Sequence, residues 1–357
     1  MTDTSKLSVL VVDDAIVYRQ VLTKVVGMTD FAHVTATAAS GPLALKQIDK
    51  YAFDVVLLDI EMPEMNGVET LEHIRLREPD IPVIMVSGIS REASRSILKC
   101  LELGALEFVP KPKANNIEDA IQKLYSALSP LLNMVMVRKY AQLSRSELKK
   151  DRQKTVPQPL IGPKRRPEIV VIGCSTGGPS ALSEIMPNIN SRLGVPVLIV
   201  QHMPPIFTLS LAEQLRKLSD VVVVEGSDGE IPKKNWIYIA PGGRHMIVRK
   251  NNDGPLLEIG IIDTLPVRNC RPSADVLFSS VAEHYGSRVL AVILTGMGDD
   301  GTNGVREIKQ KGGYCIVQNK ESSLIWGMPG SVNEAGLDDE LIPLNNIAQR
   351  INTIMGA

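Results

Sequence analysis

Cysteine is scarce in this sequence, and what there is does not pair. The 357 residues hold four cysteines, Cys100, Cys174, Cys270 and Cys315, with no Cys-x-x-Cys spacing. That argues against a zinc site and against a disulfide framework, and it points to a reducing compartment. Long apolar runs are also missing; none approaches the ~18–20 residues that a bilayer-spanning helix needs. The start, MTDTSKLSVLVVDD, meets acidic residues at once and has no apolar h-region, so no signal peptide is expected. Neither charge sign dominates, with 39 Lys+Arg against 40 Asp+Glu. A cytoplasmic protein without direct membrane insertion is the expectation.

What is present suits a folded chain of about two domains, at roughly 150 residues each. Hydrophobic residues make up 44% and charged residues 22%, which excludes wholesale disorder. The near-zero net charge hides an asymmetry. Residues 138–166 carry ten Lys/Arg and two Asp/Glu, whereas residues 1–137 hold 13 basic and 18 acidic residues and residues 167–357 hold 16 and 20. The basic stretch has several prolines and little apolar periodicity after Leu148, so it reads as an exposed linker, helical at most at its start. A solvated tether is the plain reading of it, and docking of an acidic partner the alternative.

In the first block, apolar runs at 7–14, 33–39, 54–60, 82–88 and 106–112 alternate with segments of helical spacing at Ile16–Met28, Leu43–Tyr51, Val68–Leu76, Ala93–Leu103 and Ile117–Leu128. Five such strands separated by helices predict a parallel sheet covered on both faces, with its site at the carboxyl ends of the strands. The runs end in Asp13 and Asp14, Asp59, Ser87 and Lys111. Three carboxylates at one sheet edge repel each other unless a cation neutralises them, and a hard ion such as Mg²⁺ suits an all-oxygen set. A carboxylate flanked by such an ion and a lysine is equipped to attack a phosphoryl donor in line, with Ser87 and Lys111 receiving the new phosphoryl oxygens. Helix capping would account for any one of these aspartates, but not for all five positions falling at strand ends.

This set, with LLDIEMPEMNG around Asp59 and FVPKP around Lys111, resembles the receiver domain of two-component response regulators over about residues 7–128. The resemblance implies a flavodoxin-like five-stranded parallel sheet, phosphorylation of Asp59 by a histidine kinase with Mg²⁺ held by Asp13, Asp14 and Asp59, and Phe108 as an aromatic switch residue. It also implies a cis Lys111–Pro112 bond, as in many relatives.

The βα alternation restarts at Glu168 with EIVVIGCSTGGPSAL. Ser175 and Thr176 sit on a Gly-rimmed turn from strand to helix, where small neighbours let a substrate approach and free N–H groups favour developing negative charge. Residues 173–177 satisfy G-x-S-x-G, the nucleophile elbow of α/β-hydrolases. Neither a P-loop nor a dinucleotide fingerprint is present. Among the five histidines, His202 ends the run VPVLIVQ and is the first candidate base; His245, after a Pro-Gly-Gly turn, is the second. His33, His73 and His284 read as structural or solvent-facing. A third run, RVLAVILTG, leads to Asp299 and Asp300, and either carboxylate would orient the imidazole. The resulting Ser…His…Asp order contradicts the Ser…Asp…His order of α/β-hydrolases, so that fold is not expected.

The segments IGCSTGGP, QHMPP and LTGMGDDG, with APGGRHM (240–246) and RPSADVLFSSVA (271–282), resemble the chemotaxis methylesterases of the CheB family. With the receiver upstream, the resemblance spans nearly the whole chain. It implies domains at 1–130 (receiver), 131–167 (linker) and 168–357, the last a doubly wound, mostly parallel α/β fold. Ser175 then matches the nucleophile, His202 the base and Asp300 the acid, since the family places its acid just before the Gly of GMGxDG. Backbone N–H groups of Thr176 and Met297 are expected at the oxyanion site or its rim. The implied activity is hydrolysis of glutamyl methyl esters on chemoreceptor helices with release of methanol, and deamidation of receptor glutamines in many members. No cofactor is expected for the ester chemistry. Arg244, Arg268 and Arg271, in loop-like segments, are candidates for steering an acidic receptor helix, with surface solubility an equally good account of each. The unphosphorylated receiver is expected to cover the cleft near Ser175 until Asp59 is phosphorylated. A nucleic-acid-binding output is not expected, because residues 167–357 are net acidic and βα-patterned rather than a basic helix-turn-helix.

Overall fold

The computed structural model describes residues 6–88, 90–112, 114, 116–147, 162–251 and 254–357. The chain divides into two compact units, residues 1–156 and 157–357, each with its own parallel sheet.

In the first unit, strands β1 (Leu7–Val12), β2 (Ala32–Ala38), β3 (Val55–Leu58), β4 (Val83–Ser87) and β5 (Glu107–Pro110) form one sheet in the order β2-β1-β3-β4-β5, parallel throughout. Strands β3 and β4 are buried at every residue, whereas β2 on the edge alternates with exposed positions. That contrast explains the unbroken apolar runs VVLL and VIMV, since an interior strand of such a sheet has helices on both faces. Helices α1 (Ile16–Gly27), α2 (Gly41–Ile48), α3 (Gly67–Arg77), α4 (Arg91–Glu102) and α5 (Ile117–Glu147) follow the strands in turn. Helix α3 begins with a capping box, in which Asn66 accepts from the Glu69 N–H and Glu69 accepts from the Asn66 N–H, both at 3.0 Å. Helix α5 runs through Pro130 to Glu147, so the segment assigned to the linker from residue 131 is helical at its start. Most of the remaining basic stretch, residues 148–161, lies outside the described residues. The pairing of Val12 with Leu58 brings the two strand ends level, so Asp13 and Asp59 emerge side by side.

The second unit holds seven parallel strands: β6 (Ile169–Cys174), β7 (Val197–Gln201), β8 (Val222–Glu225), β9 (Trp236–Ile239), β12 (Val289–Ile293), β13 (Tyr314–Gln318) and β14 (Glu340–Ile342). Their order is β14-β13-β12-β6-β7-β9-β8. The chain starts at β6, builds outward through β7 to β9, then returns to the other side of β6 with β12. The carboxyl ends of β6, β7 and β12 therefore border the point where the winding reverses, the place where open α/β sheets carry their sites. An antiparallel hairpin, β10 (His245–Lys250) with β11 (Leu257–Ile262), packs beside helix α8 (Ala274–Tyr285), and Ser280 Oγ accepts from the Val248 N–H at 3.0 Å. The core is mainly aliphatic, and Tyr238, Phe278 and Phe207 are fully buried aromatic rings of this unit. The fold is thus doubly wound and parallel apart from that hairpin. Among the described residues the cis bond is Arg271–Pro272; Lys111–Pro112, expected to be cis, is not.

Candidate active site and phosphoryl-accepting site

Three loops meet at the reversal point of the second sheet. Cys174 pairs with Gln201 across β6 and β7, so Ser175 and His202 follow on adjacent strand ends, and the His202 N–H donates to Cys174 O at 3.2 Å. Gln201 is buried and ties both turns: its Nε2 donates to Ser175 O at 2.9 Å and to His202 O at 3.2 Å. From β12, the Thr295 carbonyl accepts from the Ser175 N–H at 3.1 Å, and Thr295 Oγ1 donates to Thr176 O at 3.0 Å. Helix α6 (Gly178–Ile185) opens behind the serine; its cap, Gly177, has φ +76°, and a Cβ there would lie 2.7 Å from Leu324. Among the described residues the N–H groups of Thr176 and Met297 bond to no acceptor.

Asp300 is 2% exposed and holds the imidazole from behind. Its Oδ2 lies 2.7 Å from His202 Nε2 and accepts from the Ala274 N–H at 2.6 Å; its Oδ1 accepts from Ser273 Oγ at 2.7 Å and the Asp275 N–H at 3.1 Å. Three of these donors belong to the start of helix α8, whose N-terminus favours a carboxylate. Burial alone would raise the Asp300 carboxyl, but His202, Ser273 and the Ala274 N–H hold it below the usual value. Asp299, by contrast, is 51% exposed in its side chain and pairs with Arg268, which also reaches Asp275 at 3.2 Å. Burial works against the His202 imidazolium, yet Asp300 on one nitrogen and Cys270 near the other raise it to about 9.

The other histidines lie elsewhere. His245 is fully buried, with Nδ1 accepting from the Ser273 N–H at 3.1 Å and Nε2 3.1 Å from Leu265 O, so both nitrogens serve the frame. His33 and His73 are exposed and His284 is half-buried on α8. Arg271 pairs with Asp263 at 2.7 Å, and Arg244 is exposed beside β10.

One relationship differs from the sequence expectation. The Ser175 hydroxyl makes no hydrogen bond among the described residues; the linked side chains are Cys270, His202 and Asp300, with Cys270 Sγ 3.5 Å from His202 Nδ1. The physical reason lies in the ring orientation. With Nε2 committed to Asp300, Nδ1 alone is left for a hydroxyl, and the thiol now faces it. Catalytic hydrogen bonds commonly close only when substrate is bound. Sequence reasoning missed Gln201, Ser273, Thr295 and Cys270. Their only signal was adjacency: each lies within five residues of Ser175, His202 or Asp300, or in or beside the RPSAD segment.

In the first unit, Lys111 Nζ lies 2.7 Å from Asp59 Oδ2 and 2.8 Å from Asp13 Oδ2. Oxygens of Asp13, Asp14 and Asp59 fall within 4.8 Å of one another, with Asp14 exposed. An all-carboxylate set beside an open position fits a hard divalent cation such as Mg²⁺. Burial, with Asp13 nearby, raises the Asp59 carboxyl to about 6 against the opposing pull of Lys111. Ser87 Oγ is buried with no hydrogen-bond partner among the described residues, as expected of a hydroxyl kept for an incoming acceptor. Phe108 is half-buried on β5.

The two units thus define a chain that joins a phosphoryl-accepting receiver to a doubly wound α/β hydrolase domain. Residues 9–122 match the response regulator receiver domain family, and residues 170–351 match the CheB methylesterase family. A protein-glutamate methylesterase/protein-glutamine glutaminase of Trichodesmium erythraeum is 39% identical over 350 residues, 97% of this chain and 98% of that one. Its namesake in Desulfotalea psychrophila is 41% identical over 356 residues, 97% of each chain. The crystal structure of the Thermotoga maritima CheB methylesterase catalytic domain matches with a TM-score of 0.51 and 41% identity, over 53% of this chain and 98% of that one. The chain belongs to the CheB methylesterase family. No helix among the described residues is long and apolar enough to cross a membrane.

Proposed function

We propose that this chain hydrolyses glutamyl methyl esters on chemoreceptor helices, and deamidates receptor glutamines, under control of phosphorylation at Asp59. The observation that carries the chemistry is the pairing of His202 with the buried Asp300 at 2.7 Å, set one strand away from Ser175.

Ser175 Oγ attacks the ester carbonyl while His202 Nδ1 takes its proton. Asp300 holds the imidazole at Nε2 and stabilises the imidazolium that forms. The N–H groups of Thr176 and Met297 receive the oxyanion; one such donor is typically worth on the order of 10²–10³ in kcat. His202 returns the proton to the methanol oxygen, and a water molecule, deprotonated at the same nitrogen, releases the glutamate. An amide reacts along the same path with ammonia leaving. Exposed Arg244 and the paired Arg268 and Arg271 border the approach and suit an acidic helix.

In the receiver, Asp59 is the phosphoryl acceptor and a histidine kinase the donor. Asp13, Asp14 and Asp59 would hold Mg²⁺, which neutralises charge on the transferring group. Ser87 and Lys111 bind the phosphoryl oxygens, and Phe108 reports the change. The unphosphorylated receiver, within 1–130, restrains the hydrolase at 168–357 through the basic stretch 131–167, which would suit the cytoplasm. The test is methanol release from methylated receptor membranes, with and without acetyl phosphate, by wild type and Ser175→Ala. Equal release by both proteins would end this reading.

A further inference from the structure

Cys270 does not belong to the esterase reaction as written, yet it occupies the nitrogen that reaction needs. Its position is firmly set. Val267 and Cys270 exchange backbone hydrogen bonds at 3.1 and 2.8 Å across a tight turn whose two central residues, Arg268 and Asn269, have φ +50° and +61°. Backbone held in that region by non-glycine residues costs energy and persists only when its surroundings enforce it. Here the ion pairs of Arg268 with Asp299 and Asp275 do so. The turn delivers Sγ to 3.5 Å from His202 Nδ1, and the ring's other nitrogen is held by Asp300. Thiol, imidazole and carboxylate in that sequence are the parts of an activated cysteine nucleophile.

The remaining cysteines are placed differently. Cys100, Cys174 and Cys315 are all buried, whereas Cys270 is partly exposed. Burial pushes the Cys100 thiol up to about 12 and raises Cys174 and Cys315 as well, which keeps all three inert near neutral pH.

We propose that Cys270 is a reactive thiol inside the esterase site, which takes an oxygen atom from a hydroperoxide and so disables His202 until a thiol reductant restores it. This rests on the reading of His202 as the base. His202 Nδ1 holds the proton drawn from the thiol, and the sulfur attacks one peroxide oxygen. An S–O bond forms and the O–O bond breaks; the departing hydroxide takes the proton back from Nδ1 and leaves as water. Sulfur is oxidised by two electrons and the peroxide reduced by two. The sulfenic acid keeps Nδ1 engaged and fills the space in front of it, so Ser175 loses its proton acceptor. One reductant thiol then displaces the oxygen as water to give a mixed disulfide, and a second thiol releases Cys270.

The full-length protein is treated with hydrogen peroxide near neutral pH, trapped with dimedone and mapped by mass spectrometry, while methanol release is followed in parallel. The expected first adduct is on Cys270, formed about tenfold faster in native protein than in urea-unfolded protein or in His202→Gln. Activity should fall in step with it and return with dithiothreitol. Cys270→Ser should keep its own untreated rate after peroxide. The proposal is overturned if Cys270 reacts no faster in the native chain than in those two comparisons, or if activity survives its full oxidation. Because labelling needs no turnover, a chain without methylesterase activity would sink the functional reading and leave the labelling result standing.

Discussion

Ser273 Oγ donates to Asp300 Oδ1 at 2.7 Å from the cap position of helix α8, so the start of that helix and the carboxylate that holds His202 share one hydroxyl. Removing it takes away a charge-assisted hydrogen bond and a helix cap together. Caps are worth about 1 kcal/mol and hydrogen bonds to charged groups about 1.5–3 kcal/mol. Ser273→Ala is therefore expected to lower kcat by roughly tenfold, with KM little changed, and to lower the melting temperature by a few degrees. Asp300→Asn removes the carboxylate charge and should cost about 10³–10⁴ in kcat. Steady-state methanol release and thermal unfolding on the same preparations check both; equal kcat in Ser273→Ala and wild type would detach Ser273 from the site.

The position of His202 between Asp300 and Cys270 dictates the pH profile. A base must be neutral to accept a proton, and this one is held protonated up to about pH 9. Esterase kcat/KM should climb with pH and level off above about 9. Stability should move the other way. The imidazolium is favoured in the folded state, so its contribution is full below the ordinary histidine range near 6.5 and is lost as pH rises through about 9. Cys270→Ala removes one of the raising groups and should shift the activity limb towards lower pH. A profile that keeps its inflection in that variant would show the thiol has no hold on the imidazole.

Much of this was legible in the sequence because strand ends are where apolar runs stop. The parallel sheet of the first unit, and the appearance of Asp13, Asp59, Ser87 and Lys111 at one edge, follow from run lengths and punctuation alone. Ser175 and His202 were legible as strand-end residues for the same reason, whereas Asp300 was set apart from Asp299 only by the resemblance to the CheB family. The ring orientation of His202 was not, because it depends on which nitrogen Asp300 reaches across a gap of 98 positions in the chain. Gln201 looked like the last residue of an apolar strand; its role as a clamp on two turns arises only once β6 and β7 pair. The extent of α5 beyond residue 130 was hidden by Pro130, which marks helix ends more often than helix interiors.

Gly296 lies against Ser175 more tightly than any side chain permits. A Cβ there would stand 2.5 Å from Met328 Sδ and 2.8 Å from Ser175 Cβ. Met328 meets it with the sulfur of a flexible side chain, whereas Ser175 is held by its N–H donating to Thr295 O and by Gln201 Nε2 donating to its carbonyl. Gly296→Ala should displace the serine by a fraction of an ångström and lower kcat by about 10²-fold, the penalty for misplacing a reacting group. Reaction with a fluorophosphonate probe, which needs an aligned serine, should slow in parallel. Normal labelling in a folded Gly296→Ala protein would refute the steric argument.

Asp59 carries a cost that the proposed phosphorylation would relieve. Its carboxyl is raised to about 6, chiefly by burial, so the folded receiver binds this proton more tightly than the unfolded chain does. That contribution stabilises the first unit below about pH 4 and is lost as pH rises through about 6, which leaves the free carboxylate under strain at neutral pH. Asp59→Asn should therefore raise the melting temperature of the receiver transition at pH 7.5 while abolishing labelling by acetyl phosphate. Chelating Mg²⁺ with EDTA should abolish labelling of the wild type but leave its basal esterase rate unchanged, because the carboxylates that would hold the ion lie in the receiver and the proposed ester mechanism draws on no metal. Acetyl phosphate should speed methanol release only where Asp59 and Mg²⁺ are both present. Stimulation of Asp59→Asn by acetyl phosphate would place the acceptor at another residue.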